Sequence, residues 1–312
     1  MKSVIVTAAE RGYFGLAMGL VRSIRDAERA TGAAQPLTIK LLDIGLEPQQ
    51  RAQFDGLCDV FTPPQYHMPL DRVDHEASRL RSRAVKPFLR EYFPGYELYL
   101  YLDADCWVQN LNDLRMLMQA GAYRGLALTP MIDRTYPELY RKDSEMLRWM
   151  NKVHREVIGP DRAEKLLYLP GLNAGAYSAR HDSPLWEHYG NCLREVFEKA
   201  KRILDQPAFN VAIYENRIPY YPLPSRFNWL CIRSLPQVDL RRRALTEPGI
   251  PFEPLGIVHL THRLIGKEFA LTCNDGKKRP FQLDYFGFHR SLSKHAAVPD
   301  PQAQPATLTP DL

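Results

Sequence analysis

The chain of 312 residues has only five cysteines, Cys58, Cys106, Cys192, Cys231 and Cys273, and no two are spaced as Cys-x-x-Cys. That scatter argues against a disulfide framework or a cysteine zinc site. It suits reduced thiols packed as small hydrophobes in a cytoplasmic protein. No uninterrupted apolar run nears the ~18–20 residues that cross a bilayer. The first such run, residues 3–9, is cut short by Glu10 and Arg11, which argues against a secretory segment. Gly12 is the only glycine in the loop that follows, so no glycine-rich phosphate cradle opens the chain. Internal repeats are absent. Aromatic residues are not interleaved with basic ones as a single-strand nucleic-acid groove would require, so no nucleic-acid partner is expected.

What is present is ordinary globular composition, 45% hydrophobic and 25% charged. The net charge of +5 is concentrated: residues 230–295 hold 11 Lys/Arg against 6 Asp/Glu. Arg241–Arg242–Arg243 and Lys277–Lys278–Arg279 are the two clusters. Such runs are usually solvated surface; the functional alternative is attraction to an anionic ligand or to the inner face of the membrane.

Strand-like stretches at residues 4–6, 37–42, 60–61 and 97–102 alternate with helix-like ones at 12–29, 47–54 and 79–92. Pro87 must sit early in the last helix or kink it. This order predicts a mostly parallel α/β sheet flanked by helices. Residues 138–157 and 185–200 carry amphipathic spacing. Between them, residues 169–177 are too rich in glycine and alanine for an ordinary core strand, which points to a close backbone approach. One domain is expected over residues 1–295. The tail 296–312, with four prolines and no charged side chain but Asp300 and Asp311, is expected to be disordered.

The string Leu98-Tyr-Leu-Tyr-Leu-Asp103-Ala-Asp105 carries the most chemistry. Residues two apart share a strand face, so both carboxylates can leave the strand's carboxyl end together. That end is where ligands sit in open α/β sheets. Two adjacent hard oxygen ligands suit Mn²⁺ or Mg²⁺ holding a diphosphate.

Several further segments resemble, in order, the GT-A fold nucleotide-sugar enzymes of glycosyltransferase family 8, which include bacterial lipopolysaccharide galactosyl- and glucosyltransferases. Val6-Thr7-Ala8-Ala9-Glu10-Arg-Gly-Tyr13 resembles the opening strand and loop that hold the nucleotide base. Tyr-Leu-Asp103-Ala104-Asp105 is similar to the metal motif, and Leu172-Asn173-Ala174-Gly175 to the signature beside the donor sugar. Leu204-Asp205-Gln206 resembles the pair that begins a helix at the reaction centre. Ser225-Arg-Phe-Asn-Trp229 is similar to a short segment after it, and Val258-His259 stands where the family supplies a third metal ligand.

The resemblance implies a GT-A domain with its metal site at strand carboxyl ends. Asp103, Asp105 and His259 would bind the metal, and Tyr13 would stack on the base, with Ala8 and Ala9 reading its edge. Lys86 stands where the family places an arginine contacting the donor, and Lys267 would help stabilise the leaving diphosphate. Asp133 matches an aspartate near the donor sugar. Asp205 would hold the sugar, and Gln206 would face its reacting carbon, to stabilise positive charge or to attack. Retention of configuration, and a uridine diphosphate donor carrying glucose or galactose, are also implied. The acceptor (a glycan, lipid-linked glycan or protein) is left open. The chain departs from the family at Glu10, at Pro207 and in the closing segment from His259 through His262 to Gly266-Lys267. A sugar nucleotidyltransferase and a non-catalytic nucleotide-sugar binder are the competing expectations.

Overall fold

A computed structural model describes residues 1–63, 65–68, 78–141 and 144–295; the tail 296–312 lies outside the described residues. Strand β1 (Ser3–Ala9) is apolar on both faces and buried on both, as a strand inside a parallel sheet must be. Helix α1 (Phe14–Thr31) follows a single 3₁₀ turn, buries Ala17, Leu20, Val21 and Ile24, and stops at Gly32 with φ 62. β2 (Ile39–Asp43), α2 (Pro48–Ala52) and β3 (Asp59–Phe61) come next, α2 opening with a capping box between Glu47 and Gln50.

The helix expected over 79–92 is three pieces: α3 (Ser78–Val85), a 3₁₀ turn at Lys86–Phe88, and α4 (Leu89–Tyr92). Pro87 is the cause, since it has no N–H to donate to the preceding turn. β4 (Leu98–Leu102) then runs to the acidic pair. Its alternation is literal: Leu98, Leu100 and Leu102 pack with Leu114 and Leu117 on one side of the sheet. Tyr99 and Tyr101 pack with Tyr177, Tyr189 and Phe209 on the other.

The next three elements were not anticipated, nor were several later ones: β5 (Cys106–Val108), α5 (Leu111–Arg124), capped by Asn110, and β6 (Leu126–Pro130). α6 (Glu145–Ile158) begins later than position 138, because Ser144 caps it and residues 137–140 form a separate 3₁₀ turn. α7 (Pro160–Leu166) follows. β7 (Leu172–Arg180) corrects the reading of residues 169–177: it is a buried nine-residue strand, antiparallel to both β4 and β6. Its small residues still mark close approach. A Cβ on Gly175 would lie 2.5 Å from Asp103 Oδ2 and closer still to His259 Cε1.

α8 (Leu185–Ala200) and α9 (Asp205–Glu215) cover one face, and β8 (Tyr221–Pro222) ends the sheet. The strand order is β3-β2-β1-β4-β7-β6-β8, parallel except where β7 is inserted. The remaining chain forms β9 (Trp229–Leu230), a ribbon of β10 (Gln237–Asp239) with β11 (Ala244–Thr246), and β12 (Ile257–His259). A second ribbon pairs β13 (Glu268–Thr272) with β14 (Lys278–Gln282), and α10 (Tyr285–His295) packs behind it. β12 lies between β5 and β9, which brings His259 beside Cys106 in register. No described helix is long and apolar enough to cross a membrane.

Candidate active site

Asp103 and Asp105 leave the carboxyl end of β4 in a tight turn fixed from both sides. The Asp103 N–H donates to Gly175 O (2.7 Å), and the Leu260 N–H donates to Asp105 O (3.0 Å). The second bond delivers His259, whose Nε2 lies 3.4 Å from Asp105 Oδ1 and 4.0 Å from Asp103 Oδ2. These groups open on a cavity of about 480 Å³. Ala8, Glu10 and Tyr13 line it from the end of β1, and Arg83 and Lys86 from α3 and the turn after it. Ala104 and Asn173 contribute from β4 and β7, Asp205 and Gln206 from the start of α9, and Thr261 from the loop after β12.

Lys86 is the hub of its electrostatics. Its side chain is only 3% exposed, and Nζ bonds Asp103 Oδ1 (2.9 Å), Asp205 Oδ2 (2.7 Å) and Ala174 O (3.2 Å). An ammonium has three protons, and all three are directed to these partners. Burial disfavours the charge, but the Asp103 and Asp205 carboxylates outweigh it and hold the Lys86 pKa above its ordinary value. Asp205 mirrors this: burial pushes its pKa up, and Lys86 with Arg83 brings it below the usual carboxylate range.

A chain of amides sets the remaining orientations. The Gly175 N–H donates to Asn173 Oδ1 (2.8 Å), which also accepts from Asn228 Nδ2 (3.0 Å). Asn173 Nδ2 is therefore free to donate to Gln206 Oε1 (3.3 Å), and Asn228 Oδ1 is left to accept from His259 Nδ1 (3.0 Å). One backbone N–H thus turns the Gln206 oxygen toward Asn173 and leaves His259 Nε2 facing the acids.

This donor set fits a divalent cation. Asp103, Asp105 and His259 converge, and Asn228 orients the imidazole as second partners of metal-bound histidines do. Cys106 was not anticipated here: its Sγ lies within 4.8 Å of the Asp105 and His259 ligand atoms. Burial raises its pKa and so keeps the thiol protonated, which leaves the hard oxygen and imidazole donors to define the site. Burial opposes charge on His259, yet the Asp105 carboxylate beside it holds its pKa above the ordinary imidazole value. A cation would compete with that proton.

Other residues singled out in the sequence lie elsewhere. Thr7 and Ala9 are buried in β1 and do not line the cavity. Ala174 faces away but lends Lys86 its carbonyl, and Gly175 provides the space in which Asp103 and His259 meet. Asp133 is outside the lining: its Oδ1 accepts from the Thr135 N–H (2.8 Å) and hydroxyl (2.7 Å), and its Oδ2 from the Ser225 hydroxyl. Lys267 is exposed after Gly266, whose φ of 71 turns the chain into β13, and it too is outside the lining. Further residues of the site went unassigned. Arg83 lies one helical turn before Lys86, a spacing that could have flagged it. Thr261 lines the cavity from left-handed backbone (φ 63), and Asn228 sits inside a noted segment with no role given to it.

No protein-family model matches the sequence, and no curated protein matches it. Solved structures do match in shape. The galactosyltransferase LgtC, in complex with donor and acceptor sugar analogs, is similar at a TM-score of 0.52 and 15% identity, over 95% of this chain and 98% of that one. A glutamine-to-glutamate active-site mutant of LgtC gives the same values. The bifunctional glycosyltransferase WbbM is similar at 0.51 and 14% identity, over 94% of this chain; the chain spans 50% of WbbM. At such identities the likeness establishes the α/β fold of the GT-A glycosyltransferases.

Proposed function

We propose that this chain is a metal-dependent family 8 glycosyltransferase that moves a hexose, glucose or galactose, from a uridine diphosphate sugar to an acceptor hydroxyl with retention of configuration. The observation that carries the reading is the cavity itself. A metal-suited set (Asp103, Asp105, His259) and a sugar-suited pair (Asp205, Gln206) face one space and are tied together by Lys86 and the Asn173–Asn228 amides.

In this reading Tyr13 stacks on the base, with Ala8 and Glu10 beside it. Asp103, Asp105 and His259 would hold Mn²⁺ or Mg²⁺; the imidazole among the carboxylates favours Mn²⁺. The ion would supply Lewis-acid stabilisation of the departing diphosphate. The bond from the anomeric carbon to the diphosphate oxygen breaks with its electron pair on the diphosphate, and an acceptor hydroxyl oxygen bonds to that carbon. The hydroxyl proton passes to a diphosphate oxygen. Gln206, whose oxygen is aimed by Asn173, meets the positive charge that develops on the sugar. Asp205 accepts from sugar hydroxyls and sets the donor's orientation. Because the Lys86 protons are already directed inward, Arg83 is the cation that meets the donor's anionic or hydroxyl groups. LgtC too has an active-site glutamine, the position altered in its mutant structure.

The test is turnover with Mn²⁺ and a panel of nucleotide sugars. Release of uridine diphosphate from a uridine diphosphate hexose supports the reading. Pyrophosphate release from a nucleoside triphosphate and a sugar phosphate would make the chain a nucleotidyltransferase, and binding with no turnover would make it a binder.

A further inference from the structure

The two basic clusters play no part in the cavity above; each belongs to one of two ribbons that the fold brings together. The β10–β11 ribbon and the β13–β14 ribbon meet where Val238 bridges Cys273 and the Asn274 N–H donates to Val238 O (2.9 Å). Between the ribbons lies a second cavity of about 550 Å³, within the range of small-molecule sites. Arg241, Arg242, Gln237, Asn274, Thr272 and Phe252 line it.

The charge in this cavity is arranged for an anion. Asp239 also lines it, but its Oδ1 already accepts from the backbone N–H of Arg241 (2.9 Å) and Arg242 (3.0 Å) and from Asn274 Nδ2 (3.1 Å). Its oxygens anchor the turn that carries the arginines, with Arg242 Nε 3.7 Å from Oδ2. The Arg241 side chain has no partner among the described residues. Lys277, Lys278 and Arg279 do not line it, and Arg279 is bonded to Asp275, so the cavity's cations are Arg241 and Arg242. Phe252 adds an apolar plane: it is 41% exposed and held at φ 60, backbone that a bulky residue rarely adopts.

We infer that the cavity between the two ribbons binds a phosphorylated saccharide, its phosphate held by Arg241 and Arg242 and its sugar ring resting on Phe252. Guanidinium forks match phosphate oxygens in pairs. The Gln237 and Asn274 amides can donate to and accept from hydroxyls at once. A single concave cavity with one aromatic plane is too small for a nucleic-acid strand, which stacks several bases in succession. The site is independent of the activity proposed above.

Glucose 1-phosphate is the probe, added to the full chain and followed by calorimetry and by hydrogen exchange. Binding is expected to weaken with salt, to exceed that of neutral glucose, and to slow exchange in residues 237–252 and 272–278. The double variant Arg241→Ala/Arg242→Ala is expected to lose at least about tenfold in affinity, and the double lysine variant to fall between, because lysine keeps charge but not the fork. Phe252→Ala is expected to weaken glucose 1-phosphate more than inorganic phosphate. Uridine diphosphate binding serves as the control and should be unchanged in all three. The inference is overturned by absence of binding, by protection confined to the Asp103 cavity, or by unchanged affinity in the alanine double variant. Capture by phosphatidylglycerol vesicles without glucose 1-phosphate binding would overturn it in favour of a membrane surface.

Discussion

The two cavities are of similar volume, about 480 and 550 Å³, and hold their charges in opposite ways. Around Asp103 the charges are buried and mutually bonded; Lys86 and His259 are 3% and 4% exposed. Between the ribbons, Arg241 and Arg242 stand in solvent, and of these two side chains Arg242 alone has a carboxylate near it among the described residues. Buried charge interacts through a weak dielectric and keeps its geometry before any ligand arrives, which is what stabilising a developing charge requires. Exposed charge is screened within about 10 Å at ordinary salt, so it attracts and releases. In the two proposals above, one cavity changes a bond and the other holds a ligand.

The sharpest way to break this contrast is to remove a carboxylate from the first cavity. Asp105→Ala is expected to lower turnover by roughly 10³-fold while circular dichroism stays native, and chelation of the protein should do the same until Mn²⁺ is restored. Retention of most activity would sink the metal assignment. Next in size, Lys86→Met takes from Asp103 its bonded cation and leaves Asp205 only Arg83, and urea unfolding is expected to show a loss of about 3 kcal/mol. A loss below about 1 kcal/mol would mean that the bonded hub does not anchor the site. Asn228→Leu should leave the fold intact but free the His259 ring, weakening Mn²⁺ binding by about 10–100-fold in calorimetry. At the small end, Arg241→Ala should change unfolding stability by no more than about 0.5 kcal/mol, since it touches nothing buried. A larger effect would show that the second cavity is structural rather than recognitive.

Much of the first half of the chain was legible because its signals are local. The alternation of Leu98 to Leu102 and the two-residue spacing of Asp103 and Asp105 each occupy a few consecutive positions, and the structure reproduces both. What escaped detection depends on distance. β7 reads as a poor strand because the reason for its glycine and alanine lies in other segments. α5 was passed over, although Gly121 packs so closely that a Cβ there would meet Ser178 Cβ at 2.6 Å. The Gly175–Asn173–Asn228–His259 relay joins the start of β7, the 3₁₀ turn at Ser225–Asn228 and the end of β12, and no spacing rule contains it. Lys86 illustrates the limit. It lines the cavity, as its position suggested, but its bonds run to two carboxylates and a carbonyl brought together only by the fold.

The antiparallel insertion of β7 has a consequence for the order in which the chain emerges during synthesis. β4 can join β1 as soon as residue 102 is made, but its other edge has no partner until residues 172–180 arrive, after α5, β6, α6 and α7. Through that interval a run of Leu and Tyr presents unpaired N–H and C=O groups, the kind of edge on which other chains aggregate. The strand that closes this edge also carries Asn173 and Gly175 into the site. Sealing the sheet and finishing the cavity are therefore a single event, and a nascent chain stalled before it has neither a safe surface nor a working centre.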